Sequence, residues 1–318
     1  MPGPTQAFGH SIFQPLWPIL PVVGCVLMLP FMGAAGGAQD GPRIRALIVD
    51  GVNNHDWRKT TEFIRGTLVG TGLFEVMVTT TPDLPEAPEW GGWRPRFSAY
   101  DVVVVNWNNV RQPETRWPPQ VERDLESYVR GGGGLLAFHS ANNAFAHWPA
   151  YDRMIGIGWR GRDHGVALEL DADGQIRRIP AGEGEKTSHG PRQDTQVIRL
   201  ADHPITRGTP ERWMTPDIEV YTFARGPAEA LTVLTYGLHK ATGRYWPLEW
   251  VVSYGRGRVY SSSFGHIWKT DVGIPDRVLC VGFQTSLIRA AEWLGTGEVT
   301  HPVPEYFPTE DEIVLRDR

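Results

Sequence analysis

Three short runs, RALIVD at 45–50, YDVVVVNW at 100–107 and LLAF at 135–138, are apolar without alternation. A strand with one face in water alternates apolar and polar residues, so unbroken runs of this length belong to strands covered on both faces. The segments between them carry the helical period instead. Phe63, Ile64 and Leu68 share a face within 58–69, which ends at Gly70 and Gly72. Val121, Leu125, Tyr128 and Val129 share another behind Trp117-Pro118-Pro119, where proline suits a first helical turn, and Gly131–Gly134 stops it. Residues 74–80 read as a further strand and the Pro/Trp-rich stretch 82–97 as a loop. Two strand–helix–strand units side by side predict an α/β fold with a parallel, doubly wound sheet.

The second half is richer in strands, with 166–170, 196–200, 219–223, 231–236, 248–252 and 258–262 all reading as extended. Asp276 can cap a long closing helix over 278–294. No internal repeat or low-complexity linker divides the chain, so one domain is expected over 43–300, followed by a tail at 301–318. Residues 1–42 stand apart. Their stretch 12–35 is apolar and free of charge, and small residues lead to Ala38, which reads as an export signal plus linker and places the mature protein in the periplasm or outside the cell. The competing readings are a membrane anchor or a lipoprotein attachment at Cys25, and a mis-assigned start with a cytoplasmic product. Membrane association is expected only if this segment is retained.

Composition removes several function classes. A net charge of −5 with no Lys/Arg cluster argues against a nucleic-acid partner. Cys25 and Cys280 are the only cysteines, too few for a disulfide framework or a cysteine-rich zinc site. Thirteen Trp are unusual enough to suggest sugar-stacking faces, with Trp107, Trp159, Trp246 and above all Trp268 as candidates, although aromatic side chains also fill cores.

In open parallel sheets, ligands bind at the carboxyl ends of the strands. The polar and aromatic residues that follow the apolar runs are therefore candidates for the site: His55, Trp107 with Asn108, and His139 with Ser140. The motifs GGGGLLAFHSA, ADHPITRG, PDIEVYTF and EWVVSYGRGRVYSSSFGH, in this order across about residues 44 to 297, resemble the trehalose-utilisation (ThuA-like) family. The resemblance implies a flavodoxin-like, class I glutamine amidotransferase-like sheet with additional strands in the second half, and a role in carbohydrate metabolism. Such proteins are associated with sugar utilisation and in some settings with 3-keto sugars. Where the family commonly reads Asp-Glu-Leu-Tyr, this chain has Asp217-Ile218-Glu219-Val220-Tyr221, so Glu219 and Tyr221 align while the Asp is displaced by one or lost.

The amidotransferase comparison carries a negative expectation. Glutaminase chemistry needs a thiolate at the strand-to-helix elbow, and this chain has His139-Ser140 there; Cys280 sits in the apolar stretch VLCVGF. The Gly-x-Ser-x-Gly elbow of serine hydrolases is absent too. Two chemistries stay open. His139, His164 and His266, with His55 as a weaker imidazole candidate and Glu219 as an acid, could hold a divalent ion, zinc or manganese, with no nucleotide cofactor indicated. Alternatively His139, Glu219, Tyr221 and His266 could act as acids and bases without one, eliminating or hydrolysing a glycoside or sugar, with or without a 3-keto group. His55, Trp107, Asn108, Ser140 and Trp268 would bind the sugar, whereas His147, His189, His203, His239 and His301 have no such support. A glycosidase of the two-carboxylate kind needs a positioned acid pair, and only Glu219 stands out. A non-catalytic sugar-binding module on the same scaffold is the alternative. Convergence of His139, His164, His266 and Glu219 on one pocket separates the two. The expected partner is a small carbohydrate, and a homo-oligomer would use the aromatic loop 88–97 as its contact.

Overall fold

A computed structural model of the protein describes residues 43–316 other than Pro85, so the expected export segment, including Cys25, lies outside the described residues. Along the chain, β1 (Ile44–Asp50), α1 (Trp57–Val69), β2 (Phe74–Thr80), β3 (Val102–Val105), α2 (Pro119–Arg130) and β4 (Gly134–Ala137) follow in the expected alternation. A single 3-10 turn at His139–Asn143 leads to α3 (Pro149–Ile155). Then come β5 (Val166–Leu170), β6 (Ile176–Ile179), β7 (Gln193–Arg199), β8 (Arg212–Ile218), the two-residue β9 (Arg225–Gly226), β10 (Leu231–His239), β11 (Arg244–Tyr254) and β12 (Gly257–Ser262). Helices α4 (Asp276–Leu279) and α5 (Val281–Thr296) close the order.

The sheet runs β2-β1-β3-β4-β12-β11-β10-β7-β8, with β5, β6 and β9 joined beside β11. The pairs from β2 to β12 are parallel and those from β12 to β8 antiparallel. The unbroken apolar runs follow from burial on both faces. On β1, Ala46 and Ile48 join the core beneath α1 and α5, where Ile64, Leu68, Leu287 and Leu294 pack. Leu47 and Val49 join the opposite core, which α2 covers with Val121, Leu125 and Val129. Successive side chains point to opposite faces of a strand, so both faces apolar means no alternation.

Several expectations need correction. Residues 219–223 are not a strand: β8 ends at Ile218, and Asp217 just before the segment and Phe223 at its end take left-handed backbone (φ 46° and 51°). Val220, Tyr221 and Phe223 read as a strand because they are buried, but in a loop at the end of the sheet. The closing helix breaks at Cys280 (φ −54°, ψ 124°) into α4 and α5, and Pro275 rather than Asp276 occupies the cap of α4. The tail is docked: backbone N–H groups of Met214, Val281 and Arg316 donate to Thr309, Val314 and Leu279. In the loop at 88–97, Trp90, Trp93 and Phe97 face inward around Trp117, so the aromatic side chains offered as a subunit contact belong to the core. Among the described residues, no helix is long and apolar enough to cross a membrane.

Candidate active site

The carboxyl ends of β1, β3, β4 and β12 deliver the chain to one edge of the sheet, between residues 51–56, 106–109, 139–143 and 263–268. His139 follows β4 after Phe138, and its backbone is left-handed (φ 43°), which lifts its ring above the strand end. Its Nδ1 lies 2.9 Å from the Ser263 carbonyl oxygen. A carbonyl only accepts, so Nδ1 carries the proton and Nε2 bears the lone pair. His55 is arranged in the same way. Its Nδ1 lies 3.0 Å from Asn54 Oδ1, while Asn108 Nδ2 donates to Asn53 Oδ1 and Asn54 Oδ1 at 2.7 and 2.9 Å and so fixes the loop. His266 turns Nε2 toward Glu219 Oε1 at 3.1 Å.

The His55, His139 and His266 rings stand edge to face, with centroids 4.9 to 5.3 Å apart. One ring nitrogen from each lies within 4.8 Å of the others. His139 Nε2 and His266 Nδ1 are buried and have no hydrogen-bond partner among the described residues. His139 and His266 thus each spend one nitrogen on an outer acceptor and leave the other without a partner, the arrangement that metal-ligating histidines adopt. All three stay neutral near pH 7. Burial, then Arg111 and His189, pushes His55 down to about 3. Burial followed by His55 pushes His266 down to about 2, and burial holds His139 well below the usual histidine value.

Glu219 sits just beyond β8 and is almost fully buried. Its Oε2 lies 3.7 Å from His139 Nε2, and its Oε1 lies 3.5 Å from His189 Nε2. Burial raises its pKa to about 7, against the pull of Arg192 and Arg277. Burial and the adjacent Glu219 hold the Tyr221 hydroxyl well above the usual tyrosine value. Arg277 supports both sides of the site: its Nε donates to the His266 carbonyl at 2.7 Å, and its Nη1 and Nη2 reach Asp217 and Asp271. A cavity of about 450 Å³ opens onto this group, lined by His55, Glu219, Tyr221, His266, Trp159 and Trp268 among others. Trp268 stacks on His266 at 10° between planes, and Trp159 stands edge-on to Tyr221.

His139, Glu219, Tyr221, His266, His55 and Trp268 therefore come together. Others do not. His164 lies outside the cluster, its Nε2 2.8 Å from Asp152 Oδ2, and His55 occupies the place expected for it as a third ligand. Trp107 is wholly buried, stacked on Phe145 with its Nε1 donating to Thr81 Oγ1, so it offers a sugar no face. Trp246 is core as well, against Phe223. Asn108 and Ser140, expected to touch substrate, are both buried and bind Asn53 Oδ1, so they hold the His55 loop in place. Asp217 faces Arg192 and Arg277 rather than the cluster. His189 was passed over in the sequence. The bridge between Ser188 and Thr222 brings it beside Glu219, a pairing with no local sequence signature. Cys280 is a core thiol whose pKa burial raises.

The chain matches the family model described as trehalose utilisation (ThuA) over residues 45–278. Among solved structures, it is similar to a ThuA-like protein from Parabacteroides merdae, with 31% identity over 86% of this chain and 98% of that one and a TM-score of 0.78. A β-galactosidase from Rahnella sp. R3 aligns at 14% identity over 83% of this chain and 33% of its own, with a TM-score of 0.46. Comparison with curated protein sequences gives no match.

Proposed function

Because the chain belongs to the trehalose-utilisation (ThuA) family, which ties it to carbohydrate utilisation, we propose that it is a sugar-directed enzyme working from the His55–His139–His266 cluster and Glu219 on a flavodoxin-like, amidotransferase-like scaffold. The observation that carries this reading is the convergence of three buried, neutral imidazoles, two of them with an unpartnered nitrogen, beside the carboxyl group of Glu219, which faces His139 and His266 and is poised near neutrality. Buried polar atoms without partners are costly, and a ligand that satisfies them repays the cost. His55, His139 and His266 would hold a divalent ion, zinc or manganese. Such an ion, when bound, supplies a positive charge that polarises a carbonyl or acidifies a water.

The protein's own groups suit proton abstraction beside a carbonyl. In a 3-keto glycoside the carbonyl acidifies the C2 proton, which Glu219 takes as base. The C1–oxygen bond then breaks, and Tyr221, which keeps its proton at neutral pH, gives it to the departing oxygen. Water adds to the resulting double bond and completes net glycoside cleavage. Glu219 and Tyr221 are neighbours, so the proton gained by one can reset the other. Trp268 and Trp159 would hold the sugar ring. Those same two faces also favour a second reading, a sugar-binding module without chemistry.

The test uses protein loaded with zinc or manganese and a p-nitrophenyl 3-ketoglucoside deuterated at C2, with the unoxidised glucoside as control. Nitrophenol release with loss of the deuterium from the keto substrate alone is the expected result. Tight binding of either sugar with no turnover would replace the enzyme reading with the binding one.

A further inference from the structure

We propose that a second subsite adjoins the first and receives an anionic unit of the substrate, a carboxylate or phosphate ester carried on the moiety joined to the sugar in the first cavity. This rests on the sugar reading above. A cavity of about 550 Å³ lies beside the first and shares Val110, Asn143 and Trp159 with it, so one ligand can pass around Trp159 and occupy both. Each volume is in the range that holds a small organic ligand.

The second cavity has a marked charge. Arg116, Arg160 and Lys186 line it together with His147 and His164, and no carboxylate among the described residues does, although the chain as a whole carries a net charge of −5. The nearby acids are already engaged: Asp152 accepts from Arg160 and His164, and Glu122 faces His147 at 3.1 Å. Arg160 is locked further by the carbonyls of Asn142 and Ala144, so this wall is set before a ligand arrives. Arg116 and Lys186 differ. Both are exposed at the cavity, and neither makes an ion pair or hydrogen bond among the described residues. At the waist, Asn143 is nine-tenths buried and its Oδ1 has no partner among the described residues. Two uncommitted cations suit an anionic group, while the Trp159 wall and the unspent Asn143 oxygen, which accepts from a sugar hydroxyl, suit the ring that carries it.

The experiment is calorimetric binding of two matched pairs: cellobiose against glucosyl-glucuronic acid, and trehalose against trehalose 6-phosphate. Inorganic phosphate alone serves as competitor. Wild type, Arg116→Ala with Lys186→Ala, and Glu219→Gln are compared at low and high salt. The charged member of at least one pair should bind about tenfold tighter or more, as expected for charge-assisted hydrogen bonds. That advantage should shrink with salt and vanish in the double variant, while neutral-sugar binding persists. An advantage confined to one pair identifies the anion as carboxylate or as phosphate. Equal binding within both pairs, or an advantage that survives in the double variant, overturns the proposal while leaving Glu219-dependent sugar binding intact. Failure of every sugar to bind overturns both this subsite and the sugar reading beneath it.

Discussion

His139 holds a left-handed backbone that costs a side chain with a Cβ on the order of 1 kcal/mol or more. The strain is kept where it aims a bare imidazole nitrogen at two others and at Glu219. Glu219→Gln keeps the shape but removes the base, and turnover of a keto-glycoside should fall on the order of 100-fold or more with little change in KM. Tyr221→Phe should slow substrates with poor leaving groups more than activated ones such as nitrophenyl glycosides. A uniform loss for both would mean that Tyr221 is not the proton donor. His139, Glu219, Tyr221, His266 and Trp268 were legible in the sequence because each stands just past an apolar run, within a family motif or, for Trp268, two residues beyond one. Trp107 met the same criterion and misled, because its ring turned back into the core against Phe145. His164 and His189 exchanged significance for another reason: loop packing against Asp152 and Thr222 decides where they sit, and no spacing records it.

At the scale of elements, the parallel half was readable because its signal is local: apolar runs for β1, β3 and β4, helical period for α1 and α2. The antiparallel half was readable only in part. β6 buries Ile179 alone, β8 contains Pro216, and the aromatic run after β8 serves a buried loop. These elements exist because neighbouring strands pair with them, and pairing is not a local property. The loop after β12 gives a direct test of how the site is shaped. Gly265 has φ 106°, and a Cβ there would lie 2.5 Å from ring carbons of Phe138, the residue before His139. Gly265→Ala should therefore destabilise the fold by about 2 kcal/mol or more and disturb His139 and His266 together. A denaturation midpoint equal to wild type would show that this loop is not under such constraint.

Across the whole molecule, buried titratable groups set opposing pH limits for the metal-free protein. His55, His139 and His266 have depressed pKa values, so their contribution is complete above the ordinary value of 6.5 and is lost as pH falls below it. Glu219 and Glu249 are raised by burial, so their contribution is complete below the ordinary 4.5 and is lost as pH rises, for Glu219 through about 7. Thermal stability should therefore peak near about pH 6 and fall on both sides. Glu249 lies in the core, bonded to Thr235 and Tyr260, and Glu249→Gln should flatten the alkaline side without touching the site. An unchanged alkaline slope would remove Glu249 from this balance.

The central claim is that His55, His139 and His266 form one ligand set, and metal content measures it most directly. Elemental analysis would use protein purified without a chelating tag and incubated with zinc or manganese, as wild type, His139→Ala and His164→Ala. The cluster predicts about one ion per chain in wild type and in His164→Ala, and none in His139→Ala. No ion in wild type, or an ion that survives loss of His139 and disappears with His164, would contradict it.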